Sequence, residues 1–192
     1  MFDRVAARIG KKLKEQGIPY MIMGGQAVLQ YGEPRLTKDI DITLGINVEE
    51  FRRFSGFLSL AKLNSLVRSP ESFVKKTHVF PGVDPATGIR IDFIFSDSVY
   101  EKGAIRRSRS VRVRGYPLRF ASVEDIIIQK LVAGRPRDTE DIARILLRRH
   151  RLDVRYIHKW IRQFEKVLDM PLMDAFLHLR NRAKSNSHIT KF

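Results

Sequence analysis

Residues 21–45 read MIMGGQAVLQYGEPRLTKDIDITLG and contain the pattern that decides the fold. A short apolar run is followed by Gly24 and Gly25, and a second apolar run then carries Asp39 and Asp41. The second run alternates polar and apolar residues, which predicts a strand over residues 37–44. Because side chains at i and i+2 of a strand point to the same face, the two aspartates project together.

A third aspartate interrupts a later apolar run, IRIDFIF at residues 89–95. In the strand that this run predicts, Arg90 and Asp92 share the polar face, and if the two strands are neighbours Asp92 joins Asp39 and Asp41. Three converging carboxylates repel each other unless cations lie between them, and their hard oxygen atoms favour magnesium. Two such ions about 4 Å apart would suit phosphoryl transfer. The alternative is that the aspartates cap helices, mark turns or lie on solvated edge strands.

The glycine pair lies between an apolar strand, predicted at residues 20–23, and a short helix, predicted at residues 26–31. Two glycines at a turn allow close backbone approach, and the helix N-terminus offers free amides to an anion such as a triphosphate. A tight strand-to-helix connection explains the pair equally well.

The charge of the chain indicates a polyanionic partner. The sequence has 36 Lys and Arg against 21 Asp and Glu, a net charge of +15. Residues 1–100 carry 14 basic and 11 acidic residues, whereas residues 101–192 carry 22 basic and 10 acidic residues. Such an excess is typical of proteins that bind nucleic acid. A solvated, arginine-rich surface is the alternative.

Other classes of protein are excluded by composition. There is no cysteine among the 192 residues, so disulfide frameworks, thiolate metal sites and cysteine nucleophiles are excluded. No segment approaches the roughly 18 consecutive apolar residues of a membrane span. The first 17 residues have an apolar stripe of helical period and not the core of a signal peptide, so we expect a cytoplasmic protein.

The order of predicted elements is a mixed α/β half followed by a helical half, which is an α+β fold. Further strands are predicted at residues 73–80 and 89–95, followed by a hairpin at 111–120. Helices are predicted near residues 3–15 and from 47 to 63, and then at 122–131, 138–149, 154–168 and 171–182. We therefore expect a core at residues 1–120 and a C-terminal helical region at residues 121–192.

These features resemble the nucleotidyltransferase superfamily, which includes DNA polymerase beta and the CCA-adding enzymes. The resemblance rests on Gly24-Gly25, Asp39-x-Asp41 and Asp92. Two further segments resemble the branch with abortive-infection toxin nucleotidyltransferases and minimal nucleotidyltransferases: Arg35-x-Thr37-x-Asp39, and SVEDIIIQK…GRPRDTED within residues 122–141. The similarity covers about residues 20–147. Many members have serine where this chain has Gly25.

The resemblance implies a fold and a role for each matched residue. The fold would be a nucleotidyltransferase-like mixed β-sheet with flanking helices, followed by a C-terminal helical bundle, with residues 1–120 as the catalytic core. Three carboxylates would bind two Mg²⁺ ions and perform the catalysis: Asp39, Asp41 and Asp92. The residues that would bind the nucleoside triphosphate are Gly24, Gly25, Arg35, Thr37 and Lys130. Asp138 and Asp141 would support the active centre. For Lys130, Asp138 and Asp141, ordinary helix-surface and capping roles are the alternatives.

The function implied is transfer of a nucleoside monophosphate from a nucleoside triphosphate to a hydroxyl group. The basic helical half favours RNA as acceptor, such as the 3′ end of tRNA. A toxin-type enzyme could act in this way. One alternative is an antitoxin-type enzyme that adenylylates a protein partner of a toxin–antitoxin pair. The other is a module that binds nucleic acid or protein without catalysis.

Overall fold

The structure, a computed structural model, describes residues 1–31, 37, 39–96, 98–148 and 151–189. Two compact units are present. The first contains Met1–Ala27 and the described residues of 37–121, and the second contains residues 28–31 and the described residues from Ser122 onward. Each unit is described by itself.

Within the described residues of the first unit, seven strands form one mixed sheet in the order β3-β4-β5-β2-β1-β7-β6. The strands are β1 Tyr20–Ile22, β2 Asp39–Leu44, β3 Asn64–Ser65, β4 Val79–Val83, β5 Arg90–Phe95, β6 Arg109–Val113 and β7 Tyr116–Phe120. The pairs β2/β5 and β1/β7 are parallel, and the other neighbours are antiparallel. The mixed sheet confirms the predicted α+β class.

The helices of the first unit pack around this sheet. They are α1 Phe2–Glu15, the short α2 Gly24–Val28, α3 Phe51–Leu60, α4 Pro70–Thr77 and α5 Val99–Arg107. A single 3-10 turn, Val48–Glu50, precedes α3, and the side chain of Asn47 caps it by accepting a hydrogen bond from the backbone N–H of Glu49 at 3.0 Å. The helix predicted from residue 47 therefore starts as a capped 3-10 turn.

An aromatic cluster joins α3 to the apolar face of the sheet. Phe54 is fully buried, and its ring centroid lies 5.1 Å from that of Phe93 and 5.0 Å from that of Phe95 on β5. Both contacts are edge-to-face, a favourable geometry for aromatic pairs. Ile40 and Ile42 of β2 are buried on this same face. The apolar side of β2 and β5 is thus anchored, which leaves the polar side for the aspartates.

The second unit is helical. Its helices are α6 Val123–Ala133, α7 Pro136–Leu147, α8 Val154–Leu168 and α9 Leu172–Ile189. Ser122 caps α6 by accepting a hydrogen bond from the backbone N–H of Asp125, and Gly134 ends that helix at φ 61°. Buried apolar residues on all four helices, such as Ile127, Ile145, Ile161 and Phe176, form its core.

The structure corrects three of the predicted elements. Residues 73–80 were predicted as a strand, but residues up to Thr77 belong to α4, which begins at Pro70 and ends where His78 adopts a left-handed conformation with φ 58°. Only the last two residues of the predicted strand belong to β4. The glycine pair is not a separate turn, because α2 begins at Gly24. Helix α9 continues to Ile189, seven residues beyond its predicted end.

Among the described helices, none is long and apolar enough to cross a membrane.

Candidate active site

The polar face of β2 and β5 brings the three predicted catalytic aspartates together. The two strands run parallel in a register that places Asp41 opposite Asp92 and Asp39 opposite Arg90. Paired positions on adjacent strands share a face, and Asp39 and Asp41 are two residues apart, so all three carboxylates project to one side. Asp39 is exposed, whereas Asp41 and Asp92 are half-buried. The pairing of strands distant in sequence thus produces an acidic site, whose role stays a prediction.

Gly24 is fitted against Asp41. The backbone N–H of Met23 donates a hydrogen bond to the carbonyl of Asp41 at 2.8 Å, which brings the end of β1 next to β2. Gly24 follows with φ +60°, and a Cβ atom added there would lie 1.7 Å from Oδ2 of Asp41. Both the backbone conformation and the lack of space require glycine. The absence of a side chain at residue 24 therefore lets the backbone pack directly against the Asp41 carboxylate.

The remaining residues of the predicted nucleotide site differ in how they are placed. Gly25 is buried in α2. Gln26, also buried, donates a hydrogen bond from Nε2 to the hydroxyl of Thr37. Gln26 was not predicted as a site residue, although its position directly after the glycine pair is a signal. Arg35 lies outside the described residues.

Arg90, like Gln26, lies at the site without having been predicted as a site residue. Its Nε donates a hydrogen bond to Oδ1 of Asp92 at 3.1 Å. This hydrogen bond, together with the attraction of Asp92, Asp39 and Asp41, raises the pKa of the Arg90 guanidinium. A signal was present, because Arg90 lies two residues before Asp92 on the same face of a predicted strand.

The donor chemistry of this face fits magnesium. Three carboxylates supply the hard oxygen atoms that Mg²⁺ prefers, and the backbone of Gly24 lies beside one of them. Among the described residues, however, no three acidic, histidine or cysteine side chains lie close enough together to hold a metal ion. The guanidinium of Arg90 lies against Asp92 in this arrangement. Binding of a metal would therefore require side-chain rotations on the same backbone.

The second unit contains its own buried ionic cluster. The ammonium group of Lys130 on α6 lies 2.5 Å from Oδ1 of Asp138 and 2.8 Å from Oδ2 of Asp141, both on α7. The two aspartates are three residues apart and therefore share a helix face. All three residues are buried, and Oδ2 of Asp138 has no hydrogen-bond partner in the described part of the chain. The three residues singled out by the resemblance thus form one ionic cluster, in which the carboxylates fix the position of the ammonium group.

Comparison with solved structures identifies the fold as that of a nucleotidyltransferase. An antigenic nucleotidyltransferase-like protein from Paracoccidioides brasiliensis aligns with a TM-score of 0.57 and 14% identity over 91% of each chain. The antibiotic-resistance factor ANT(2″)-Ia aligns with a TM-score of 0.59 and 15% identity over 87% of this chain and 94% of that one. At such identities the similarity concerns the fold alone.

The sequence itself assigns the family. Residues 16–190 match the family model described as nucleotidyl transferase AbiEii toxin, Type IV TA system. The chain therefore belongs to the AbiEii family of toxin-type nucleotidyltransferases, which confirms the resemblance to the abortive-infection branch. A comparison with curated proteins gave no significant match.

Proposed function

We propose that the protein transfers a nucleoside monophosphate from a nucleoside triphosphate to a hydroxyl group of RNA, such as the 3′ end of tRNA. The observation that carries this proposal is the register of β2 and β5, which puts Asp39, Asp41 and Asp92 on one face. Membership of a nucleotidyltransferase family supports the reaction class. Both substrates occur in the cytoplasm, where we expect the protein to act.

In this proposal the three aspartates hold two Mg²⁺ ions. Asp39 and Asp41 have the central position, since both project from β2, and Asp92 adds a donor from β5. Ions of this kind act as Lewis acids and lower the pKa of a bound hydroxyl group.

The proposed transfer forms one bond at the α-phosphorus and breaks another. The acceptor oxygen forms a bond to the α-phosphorus, and the bond between that phosphorus and the bridging oxygen to the β-phosphate breaks. Pyrophosphate leaves, and the hydroxyl proton passes to solvent. The contribution of the protein is positioning and electrostatic stabilisation, because phosphoryl transfer needs no covalent participation of a side chain.

The resemblance assigns the triphosphate to Gly24, Gly25, Arg35, Thr37 and Lys130. In the first unit, Gly24 lies close to Asp41, and Thr37 accepts a hydrogen bond from Gln26, which supports a role for these two positions. In the second unit, Asp138 and Asp141 hold the Lys130 ammonium group in place. We propose that these two aspartates support nucleotide binding through Lys130 and do not contact the substrate.

RNA is the favoured acceptor because of the charge and its distribution. Residues 101–121 alone contain seven basic residues and one acidic residue. They belong to the first unit, which contains the aspartates, so the positive charge is not confined to the helical half. Five of these arginines are exposed on α5 and the β6–β7 hairpin: Arg106, Arg107, Arg109, Arg112 and Arg114. Phosphate groups would gain sequence-independent affinity from such a surface.

The decisive experiment incubates the purified protein with Mg²⁺ and each of four labelled ribonucleoside triphosphates, with and without total tRNA. The test variant is Asp39→Ala/Asp41→Ala. The matched control is Asp3→Ala/Asp174→Ala, which removes two exposed aspartates from α1 and α9. We expect label in RNA with the wild type and the control, and none with the test variant.

Other outcomes would replace the proposal. Label on protein and not on RNA would favour a protein acceptor, such as a partner in a toxin–antitoxin pair. Label on neither, with the protein folded, would favour a module that binds without catalysis. Incorporation that survives loss of Asp39 and Asp41 would refute the assignment of the site.

A further inference from the structure

Arg90 occupies an unexpected place in an acidic site. It is the first residue of β5, lies directly opposite Asp39 of β2 and shares a strand face with Asp92. Its guanidinium bonds to Asp92 at 3.1 Å, with the arginine side chain 52% exposed and the aspartate side chain 21% exposed. The arginine therefore reaches inward along the strand to a carboxylate that the proposed function assigns to the metal.

The charges explain this position. Asp39, Asp41 and Asp92 repel each other when no cation is bound, and a cation among them relieves that repulsion. Arg90 is permanently charged and supplies a cation here, because its Nε donates a hydrogen bond to Oδ1 of Asp92 and the residue lies opposite Asp39. A guanidinium and a magnesium ion at the same carboxylate repel each other and share its single negative charge, so the two cations compete for Asp92.

We propose that Arg90 is a built-in counter-ion of this site, which competes with Mg²⁺ for Asp92 and, once displaced, pairs with a phosphate group of the nucleotide. This inference rests on the proposed function, since it assumes that the three aspartates bind metal. The binding of Mg²⁺ and the binding of the triphosphate are therefore coupled. Metal alone must displace Arg90 without compensation, whereas metal arriving with a triphosphate offers the guanidinium a new anionic partner.

The first test measures Mg²⁺ binding to the nucleotide-free protein by calorimetry. Arg90→Gln should bind Mg²⁺ roughly three- to fivefold more tightly than the wild type, the range expected for removal of a partly exposed ion pair. Arg90→Lys, which keeps the charge, should stay close to the wild type. The matched control is Lys75→Gln, because the Lys75 side chain is also 52% exposed and also forms a 3.1 Å ion pair, with Glu71 on α4. This control should leave Mg²⁺ affinity unchanged.

The second test measures binding of the Mg²⁺ complex of a triphosphate analogue that cannot be cleaved between the α- and β-phosphates. Here Arg90→Gln should bind several-fold more weakly than the wild type, the opposite direction to the first test. Equal or tighter binding would overturn the proposed pairing of Arg90 with phosphate. Unchanged Mg²⁺ affinity of the nucleotide-free variant would overturn the competition.

The variant Asp92→Asn separates this inference from the proposed function. If it abolishes Mg²⁺ binding while Arg90→Gln has no effect, the metal site stands and the role of Arg90 is refuted. If Asp92→Asn binds Mg²⁺ as the wild type does, the metal site is wrong, and the inference about Arg90 falls with it.

Discussion

Replacing Gly24 by alanine tests the geometry of the site most directly. The new methyl group would lie 1.7 Å from Oδ2 and 2.7 Å from Cγ of Asp41, whereas Cβ atoms essentially never approach another atom below 3.0 Å. The carboxylate must therefore withdraw by about 1.3 Å, the difference between these two distances. Rotation of the side chain cannot relieve the contact fully, because Cβ of Asp41 is itself 3.1 Å away.

Two costs follow from these distances. An alanine at positive φ is strained by about 1–2 kcal/mol, and forcing a methyl group into filled space adds roughly 1–3 kcal/mol. Displacement of a catalytic group by about 1 Å can reduce a rate on the order of 100-fold. We therefore expect Gly24→Ala to lose most of its transferase activity and to unfold at lower urea concentration.

Gly17→Ala is the matched control for this experiment. Gly17 has φ +61°, almost the same as Gly24, but the nearest atom to its added Cβ is a side-chain nitrogen of Arg53 at 3.7 Å, an ordinary contact. Both variants bear the backbone strain, and only Gly24→Ala bears the clash with Asp41. Urea unfolding and the nucleotide-transfer assay are measured on both. Equal stability and equal activity of the two variants would refute the fit of Gly24 against Asp41.

Three further predictions concern other parts of the molecule. Lys130→Met removes the cation that bridges two buried carboxylates, so we expect the free energy of unfolding in urea to fall by about 3 kcal/mol; a change within 0.5 kcal/mol, about the scatter of ordinary surface substitutions, would contradict this. Burial raises the pKa of Tyr20 to about 12 from 10.0, so its stabilising contribution is complete below pH 10 and is lost as the pH rises toward 12. Absorbance titration should show a late tyrosine ionisation that Tyr20→Phe abolishes, and its presence in that variant would refute the assignment. Arg109→Gln and Arg112→Gln should each lower the slope of log affinity for tRNA against log salt by about 0.7–0.9 if these residues contact phosphates, whereas an unchanged slope would place the RNA elsewhere.

The part of the acidic site that depends on alternation within a single strand could be predicted from the sequence. Alternation in β2 and β5 showed that Asp39 and Asp41 share a face and that Asp92 lies on the polar side of its own strand. The pairing of these strands depends on the whole sheet, and no local pattern encodes it. The contact of Arg90 with Asp92 lay within reach of that local pattern, since the two residues share a face of β5, whereas the position of Arg90 opposite Asp39 exists only after the strands pair.

The error at residues 73–80 has a different origin. Residues 73–80 have apolar residues only at their two ends, a pattern that does not separate a strand from a helix, so the signals around the segment decide. Pro70 occupies the first turn of α4, and Lys75 pairs with Glu71 one turn earlier. Only Val74 of this helix is fully buried, so the apolar residues did not show a helical period. Pro70 therefore indicates this helix better than its apolar residues do.

The Lys130 cluster shows what a family resemblance adds to a pattern. From the residues alone, Lys130, Asp138 and Asp141 could be ordinary helix-surface or capping groups. The resemblance singled out all three, and the structure shows one lysine held between two aspartates across the turn at Gly134. Contact between groups eight and eleven residues apart depends on the angle between α6 and α7, which composition does not specify.

The position of β6 at the end of the sheet has a consequence for solubility. In the part of the chain that the structure describes, β6 pairs with β7 on one side only, so its other side offers backbone groups to any extended chain. Arg109 and Arg112 are exposed along this strand. Two copies that approached edge to edge would bring like charges together, so the arginines that we propose for RNA binding also oppose self-assembly. A bound polyanion or high salt would weaken that protection, and apolar replacements at these positions would favour aggregation.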